Sequence, residues 1–230
     1  NLINYKMIKR LLIIPARKNS KRIKNKNIKL FHGKPIISYS IETALKSKMF
    51  DTLHISTDNK AIKKITINFG ISIDFYRPKN LSDDRTGLIE VYSYVIEKYK
   101  SIGKIFDEIW FLSACSPLIL SKDLINASKY FNENKADTML SICKFSPQIQ
   151  RAFYMDKKKI FPVDKKFIKK NSQDIPERYF HTGNFGAFKN DIFQRNNKIF
   201  NYCGFELPKN RSVDIDNIDD WNLALKLFIK

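Results

Sequence analysis

Two carboxylates stand two residues apart near the C-terminal end of the chain, at Asp214 and Asp216. Alternate side chains of an extended segment point to the same face, so this spacing puts both carboxylates on one side and turns Ile215 to the other. Magnesium usually takes one or two protein carboxylates together with water and substrate phosphates. The pair therefore predicts a magnesium (Mg2+) site, although an isolated pair of this kind is more often an exposed acidic turn that caps the next helix.

A basic loop near the N-terminal end is the second set of residues suited to chemistry. It runs from Ala16 to Lys29, after the apolar run Leu11–Ile14. Its cationic, amide and hydroxyl side chains include Arg17, Lys18, Asn19, Ser20, Lys21, Arg22, Lys24, Lys26 and Asn27. Arginine and lysine neutralise phosphate oxygens, and amides and hydroxyls donate hydrogen bonds to them. The loop predicts a triphosphate site without the glycine pattern of a P-loop; a solvated basic loop is the alternative.

The net charge favours an anionic ligand. Lysine and arginine outnumber aspartate and glutamate by 42 to 23, which gives +19 at pH 7. Composition alone makes a nucleic-acid-binding protein the first interpretation, but the chain has no recognition-helix motif, zinc-ligand spacing or aromatic RNA-binding strand. A positive field also concentrates nucleotide triphosphates. A non-enzymatic nucleic-acid binder therefore remains only the alternative.

Length and residue usage narrow the class of protein further. The 230 residues, 43% of them hydrophobic, suffice for one substantial core, so a single domain over residues 1–230 is expected. No stretch reaches the roughly 20 apolar residues of a membrane span, and no signal-peptide core is evident. Cys115, Cys143 and Cys203 form an odd set without a CxxC pair, which indicates neither a disulfide framework nor a thiolate zinc site. We expect a cytoplasmic protein with no membrane contact.

Apolar runs alternate with amphipathic segments along most of the chain. Strands are predicted at Leu11–Ile14, Thr52–Ser56, Ile71–Tyr76, Asp107–Leu112 and Thr138–Cys143, and again near Gly186–Phe188. Helices are predicted after Pro35, at about Asn59–Phe69, Leu88–Tyr99 and Lys122–Asn132, near Asp191, and at about Ile218–Phe228. This alternation predicts an α/β fold in three layers with a mainly parallel sheet. Because ligands gather beyond the carboxyl ends of parallel strands, we expect the strand-end loops to form the site.

The alternation of predicted strands and helices stops between Lys144 and Gly183. This segment is rich in charge and aromatic side chains and contains Pro147, Pro162 and Pro176. We therefore expect residues 144–183 to form an arm inserted into the domain.

The stretch from Ile13 to Asp58 resembles the opening of the cytidylyltransferases that activate nonulosonic (sialic-type) acids as CMP-sugars. The matching motifs are Ala16-Arg17, Ser20-Lys21, Lys26-Asn27, Gly33-Lys34-Pro35 and Ser56-Thr57-Asp58. Further matches are Arg77-Pro78, Asp84, Ser116-Pro117-Leu118 and Asp214-Ile215-Asp216, so the resemblance covers nearly the whole chain. Within the arm, Pro147–Phe153, Asn171–Asp174 and Phe180–Phe185 look most like the branch that acts on pseudaminic acid. Lys18-Asn19 replace two glycines common in the family, and Ser113-Ala114-Cys115 replace its QPT or YPT.

This resemblance implies a Rossmann-like nucleotidyltransferase fold and a reaction between CTP and a nonulosonic acid. The implied catalytic residues are Arg17, Lys21, Lys26, Asp214 and Asp216, the last two holding Mg2+. The implied nucleotide contacts are Ala16, Arg17, Asn19, Ser20, Lys26, Asn27, Arg77 and Asp84. Candidate sugar contacts are Gln150, Arg151, Gln173 and His181, with a solvated arm or a core histidine as the alternatives. The resemblance also implies a homodimer in which the arm completes the partner's sugar pocket; N-acetylneuraminate, legionaminate or Kdo are the alternative sugars.

Overall fold

The fold is built around a six-stranded sheet. The computed structural model of the chain describes residues 7–18, 20–83, 85–194 and 201–228. In this part the strands are β1 (Arg10–Pro15), β2 (Leu30–Phe31), β3 (Lys34–Pro35), β4 (Thr52–Ser56), β5 (Glu108–Leu112), β6 (Thr138–Lys144), β7 (Phe153–Asp156), β8 (Lys159–Pro162), β9 (Tyr179–Lys189) and β10 (Tyr202–Glu206). The α-helices are α1 (Ile36–Ser47), α2 (Lys60–Ile67), α3 (Leu88–Ser101), α4 (Ser121–Glu133) and α5 (Ile218–Leu227).

The sheet is mainly parallel, as predicted. Its strand order is β10-β6-β9-β5-β1-β4. β1 pairs in parallel with β4 and β5, and β10 pairs in parallel with β6. β9 runs antiparallel to both of its neighbours, β5 and β6. The carboxyl ends of the five parallel strands therefore lie along one edge of the sheet, together with the beginning of β9.

The central strand β1 shows why the domain has three layers. Leu11, Leu12, Ile13 and Ile14 are all fully buried, because both faces of the sheet are covered. Leu12 and Ile14 pack in one core cluster with side chains of α1, α2 and α4. Leu11 and Ile13 pack in another cluster with side chains of α3. Successive side chains of β1 thus face opposite helical layers, which confirms the α/β fold expected from the alternation of elements.

The structure differs from the predicted elements of the sheet and its connections in three places. Residues 71–76 form no strand, although Ile71 and Ile73 are buried, so the alternation predicted burial but not sheet pairing. The helix near Asp191 is a short 3-10 helix, Asn190–Gln194. β10 (Tyr202–Glu206) was not predicted, and it forms one edge of the sheet beside β6.

The inserted arm is shorter than the sequence indicated. β6 ends at Lys144, which pairs with Tyr179 at the beginning of β9, so only residues 145–178 leave the sheet. Within them β7 and β8 pair as an antiparallel hairpin. Its apolar side chains are largely exposed, and they include Phe153, Tyr154, Met155, Ile160 and Phe161. Within the described ranges, no helix combines the length and apolar character needed to cross a bilayer.

Candidate active site

A cavity of about 610 Å³ lies at the edge of the sheet where β1 and β5 end. Residues from distant parts of the chain meet in its wall. They are Pro15, Arg17, Ser20, Lys21, Arg22, Ile23, Lys26, Asn27, Arg77, Leu88, Tyr92, Phe111, Ser113, Ala114, Cys115, Gly183, Asp214 and Asp216. The basic loop and the acidic pair, almost 200 positions apart in sequence, therefore share one cavity.

Hydrogen bonds to the end of β4 and to the loop before α3 hold the beginning of the basic loop in place. The backbone N–H of Ala16, a fully buried residue, donates to the Ser56 carbonyl at 2.9 Å. Nη1 of Arg17 donates to the carbonyl of Asp83 at 2.9 Å, so the Arg17 side chain contacts the loop that precedes α3. Ser20 and Lys21 line the cavity further along the same loop. Asn19 and Asp84, both predicted nucleotide contacts, lie outside the described residues.

Arg77 is a buried cation in the cavity wall. Only 6% of the residue is exposed, and its Nε and Nη2 donate to the hydroxyl and carbonyl oxygens of Ser56 at 3.1 and 2.8 Å. Burial lowers the pKa of Arg77 to about 10, and the nearby charge of Asp58 opposes that shift. The guanidinium therefore remains charged at neutral pH and provides a fixed positive group for an anionic or carbonyl-bearing ligand.

Lys26 and Asn27 are positioned by a short 3-10 helix, Lys26–Ile28. Nδ2 of Asn27 donates to the Arg17 carbonyl at 2.9 Å, which joins this helix to the beginning of the basic loop. Nζ of Lys26 donates to the Ile215 carbonyl at 2.5 Å and lies 3.3 Å from Oδ1 of Asp216. Lys26 thus connects the basic loop directly to the acidic segment.

The acidic pair does not form the cap of α5. Asn217 caps this helix, since its side chain accepts from the backbone N–H groups of Asp219 and Asp220 at 2.8 and 3.0 Å. The Asp220 side chain completes a capping box, since it accepts from the backbone N–H groups of Asp216 and Asn217. This capping box removes the main structural explanation for the two carboxylates of Asp214 and Asp216, which line the cavity instead.

The two carboxylates differ in their surroundings. Asp216 lies within ion-pair distance of Arg22 at 3.0 Å and of Lys26 at 3.3 Å. Asp214 packs against Gly183, where an added Cβ would lie only 2.7 Å from Oδ2 of Asp214. Desolvation raises the pKa of Asp214, the charge of Asp216 raises it further, and Lys26 opposes both. Two neighbouring carboxylates whose repulsion a cation would relieve fit the oxygen preference of Mg2+, with phosphate oxygens supplying further ligands.

Of the predicted sugar contacts, Gln150, Arg151 and Gln173 lie apart from this cavity, and His181 lies beside it. Arg151 lines a second depression of about 950 Å³ between the arm and the ends of β6 and β10. Gln150 and Gln173 line a third, of about 240 Å³, within the arm. Gln150 and Arg151 also donate hydrogen bonds to backbone carbonyls of the arm itself, at Pro176 and Lys170. The ring of His181 packs edge-on against Phe111, a cavity residue, with the centroids 6.2 Å apart.

The sequence interpretation missed several cavity residues. Leu88, Tyr92 and Phe111 form an apolar wall, in which the rings of Tyr92 and Phe111 stack with centroids 5.7 Å apart. No sequence signal separates these from ordinary core residues. Gly183 carried a signal, because it lies in a segment that resembles a family motif, whereas Cys115 lies where the chain departs from one. Their contacts with Asn27 and Asp214 depend on the fold and were not predictable from the motifs.

Comparison with known proteins shows the family to which the chain belongs. The profile of the family described as "Cytidylyltransferase" matches residues 11–217. The chain is 38% identical to the pseudaminic acid cytidylyltransferase of Campylobacter jejuni, over 96% of this chain and 97% of that protein. It is 24% identical to the CMP-N,N'-diacetyllegionaminic acid synthase of Legionella pneumophila, over 94% and 95% of the two chains. Its fold resembles that of CMP:2-keto-3-deoxy-manno-octonic acid synthetase complexed with CTP, with a TM-score of 0.66, 16% identity and coverage of 95% and 98%. The chain belongs to the cytidylyltransferase family.

Proposed function

We propose that the protein activates a nonulosonic acid, pseudaminic acid in the first instance, with CTP. The anomeric hydroxyl of the sugar attacks the α-phosphorus of CTP, a new P–O bond forms, and the bond to the β-phosphate breaks. The products are the CMP-sugar and pyrophosphate, and the hydroxyl proton is lost to solvent or to a product oxygen. The 38% identity to a pseudaminic acid cytidylyltransferase over almost the whole chain supports this choice of sugar.

A single structural observation carries the proposal: cationic side chains and two carboxylates line the same cavity at the carboxyl edge of the sheet. Arg17, Lys21 and Lys26 supply positive charge for the triphosphate, and they hold it without any covalent intermediate. Asn27 and Arg77 provide an amide and a buried guanidinium for cytidine. Asp214 and Asp216 would hold Mg2+, which when bound polarises the phosphate oxygens.

The arm supports a homodimer as part of this proposal. Gln150, Arg151 and Gln173 lie outside the cavity of their own chain, and the β7–β8 hairpin exposes large apolar side chains. A second copy that covers the hairpin would bury this surface and bring arm residues to a neighbouring site. Light scattering coupled to gel filtration should give twice the subunit mass at micromolar concentration. A single subunit mass would contradict the dimer and leave the reaction itself untouched.

A reaction that consumes CTP requires a compartment supplied with nucleoside triphosphates, which supports a cytoplasmic location. The decisive experiment measures pyrophosphate release from CTP and Mg2+ with pseudaminic, legionaminic, N-acetylneuraminic and 2-keto-3-deoxy-octonic acids in parallel. We expect the highest kcat/KM with pseudaminic acid and little release with UTP in place of CTP. Preference for another acid would replace the sugar but keep the reaction. Failure with all four acids, together with tight salt-sensitive binding of a short DNA duplex, would instead favour nucleic-acid binding.

A further inference from the structure

The buried thiol of Cys115 contacts the proposed nucleotide site. Cys115 follows β5 in the strand-end loop, lines the cavity and is 4% exposed. Its Sγ lies 3.3 Å from Oδ1 of Asn27. The backbone N–H of Cys115 in turn donates to the hydroxyl of Ser113 at 3.3 Å, which fixes the loop that carries the thiol.

The direction of this contact follows from the other half of the Asn27 amide. The Arg17 carbonyl is an acceptor only, so the Asn27 atom 2.9 Å away from it must be the donor Nδ2. Oδ1 therefore faces Cys115, and the thiol donates to it. Burial raises the pKa of the Cys115 thiol to about 12, which keeps it protonated, and able to donate, at neutral pH.

We infer that Cys115 is a positioning residue for the nucleotide: its thiol and the Arg17 carbonyl together fix the orientation of the Asn27 amide in the cavity. This rests on the proposed use of CTP. Asn27 keeps a second Nδ2 hydrogen and a second Oδ1 lone pair, and a fixed amide presents both to the ligand in one orientation. Without the thiol, the amide loses one of two restraints and its oxygen loses a buried donor.

The test measures CTP binding, with Mg2+ present and no sugar, by titration calorimetry. We expect Cys115→Ala to weaken CTP binding about fivefold, the effect of one neutral hydrogen bond. Cys115→Ser keeps a donor and should bind within about twofold of the parent protein. Cys203→Ala, a matched change at a cysteine on the edge strand β10, should bind CTP as the parent protein does.

A double-mutant cycle separates positioning from general damage. In an Asn27→Ala background, Cys115→Ala should weaken CTP binding by less than about twofold, because the residue through which it acts is gone. An undiminished fivefold loss in that background, or parent-like binding by Cys115→Ala, would overturn the inference.

An amide NMR spectrum gives a second readout that does not depend on CTP. The side-chain NH2 signal that disappears in Asn27→Ala should shift in Cys115→Ala and return towards its original position in Cys115→Ser. An unchanged signal in Cys115→Ala would also overturn the inference. If the parent protein does not bind CTP at all, both the proposed function and this inference are wrong. Parent binding combined with an unaffected Cys115→Ala overturns the inference alone.

Discussion

Asp214 and Asp216 are the side chains on which the proposed chemistry most depends. Replacing either with alanine removes a carboxylate from the cavity while changing little of the packing, because the capping of α5 belongs to Asn217 and Asp220. We expect turnover to fall roughly a hundredfold or more, since a bound metal contributes several kcal/mol to stabilising phosphate charge. Pyrophosphate release measures the loss.

The control for these variants is Asp219→Ala, which removes an exposed carboxylate from the first turn of the same helix. It should retain nearly all of the turnover. Activity near the parent level in Asp214→Ala and Asp216→Ala would show that neither carboxylate serves catalysis.

Gly183 combines two reasons to be glycine. Its φ of +69° is a conformation that other residues adopt only at a cost, and an added Cβ would meet Oδ2 of Asp214 at 2.7 Å. We expect Gly183→Ala to lower the free energy of unfolding by about 1 to 3 kcal/mol and also to reduce turnover, because the Asp214 carboxylate must move. Thermal melting and pyrophosphate release measure the two effects.

Gly103 offers a matched control for that variant. It has a similar φ of +77°, but nothing lies within 4 Å of the Cβ that alanine would add. Gly103→Ala should therefore carry the backbone strain without the loss of turnover. Equal turnover in the two variants would show that the contact with Asp214 is unimportant.

At the scale of elements, an ion pair holds the segment that leads to Asp214 against α4. Nη2 of Arg211 lies 2.7 Å from Oδ1 of Asp123, whose side chain is only 6% exposed. The other oxygen of Asp123 accepts from the Leu120 N–H at the beginning of α4. Removing Arg211 leaves a nearly buried carboxylate without its cation, so Arg211→Ala should cost about 2 kcal/mol.

For a chain of this size, that loss lowers the melting temperature by about 4 to 8 °C. Lys100→Ala is the comparison, since it breaks a pair in which both side chains are more than half exposed and 3.9 Å apart. It should shift the melting temperature by less than about 2 °C. Similar shifts in the two variants would contradict a structural role for the Arg211 pair.

The elements also show what a sequence can and cannot predict. The run Leu11–Ile14 identified β1, because a strand buried on both faces needs uninterrupted apolar residues. The alternation of Ile71, Ile73 and Phe75 correctly predicted that one face of this segment is buried, but the strand that it predicted does not form. A strand also requires a paired neighbour, and within the described part of the chain residues 71–76 do not pair with β4, which remains the edge strand. The cavity followed from topology, whereas the contacts of Cys115 and Gly183 depend on distances that no local pattern encodes.

At the scale of the whole molecule, stability should depend on the protonation of His54. This residue is buried, its ring stacks on Phe75, and its Nδ1 is 3.2 Å from the Tyr99 hydroxyl. Because that hydroxyl donates to Asp74 at 2.9 Å, Nδ1 must donate to it. Nε2 has no hydrogen-bond partner within the described residues. Burial lowers the pKa of His54 from 6.5 to about 4.

Between about pH 4 and pH 6.5, the unfolded chain binds a proton at His54 and the folded chain does not. The free energy of unfolding should therefore fall as the pH decreases, by about 2 kcal/mol from this group between about pH 7.5 and pH 5. Urea unfolding at several pH values measures the slope, and His54→Phe should remove this part of it. An unaltered slope in His54→Phe would assign the dependence to other groups.

The antiparallel direction of β9 separates the arm from the part of the strand that lines the cavity. Because Lys144 is paired with Tyr179, residues 145–178 leave and re-enter the sheet at neighbouring points of the edge where the parallel strands end. Insertions or deletions within residues 145–178 leave the pairing of Lys144 with Tyr179 in place. A single residue inserted within β9 itself would turn Phe185 out of the core and displace Gly183 from Asp214. The arm, which carries the proposed sugar contacts Gln150, Arg151 and Gln173, can therefore diverge between relatives while the proposed phosphate chemistry stays constant.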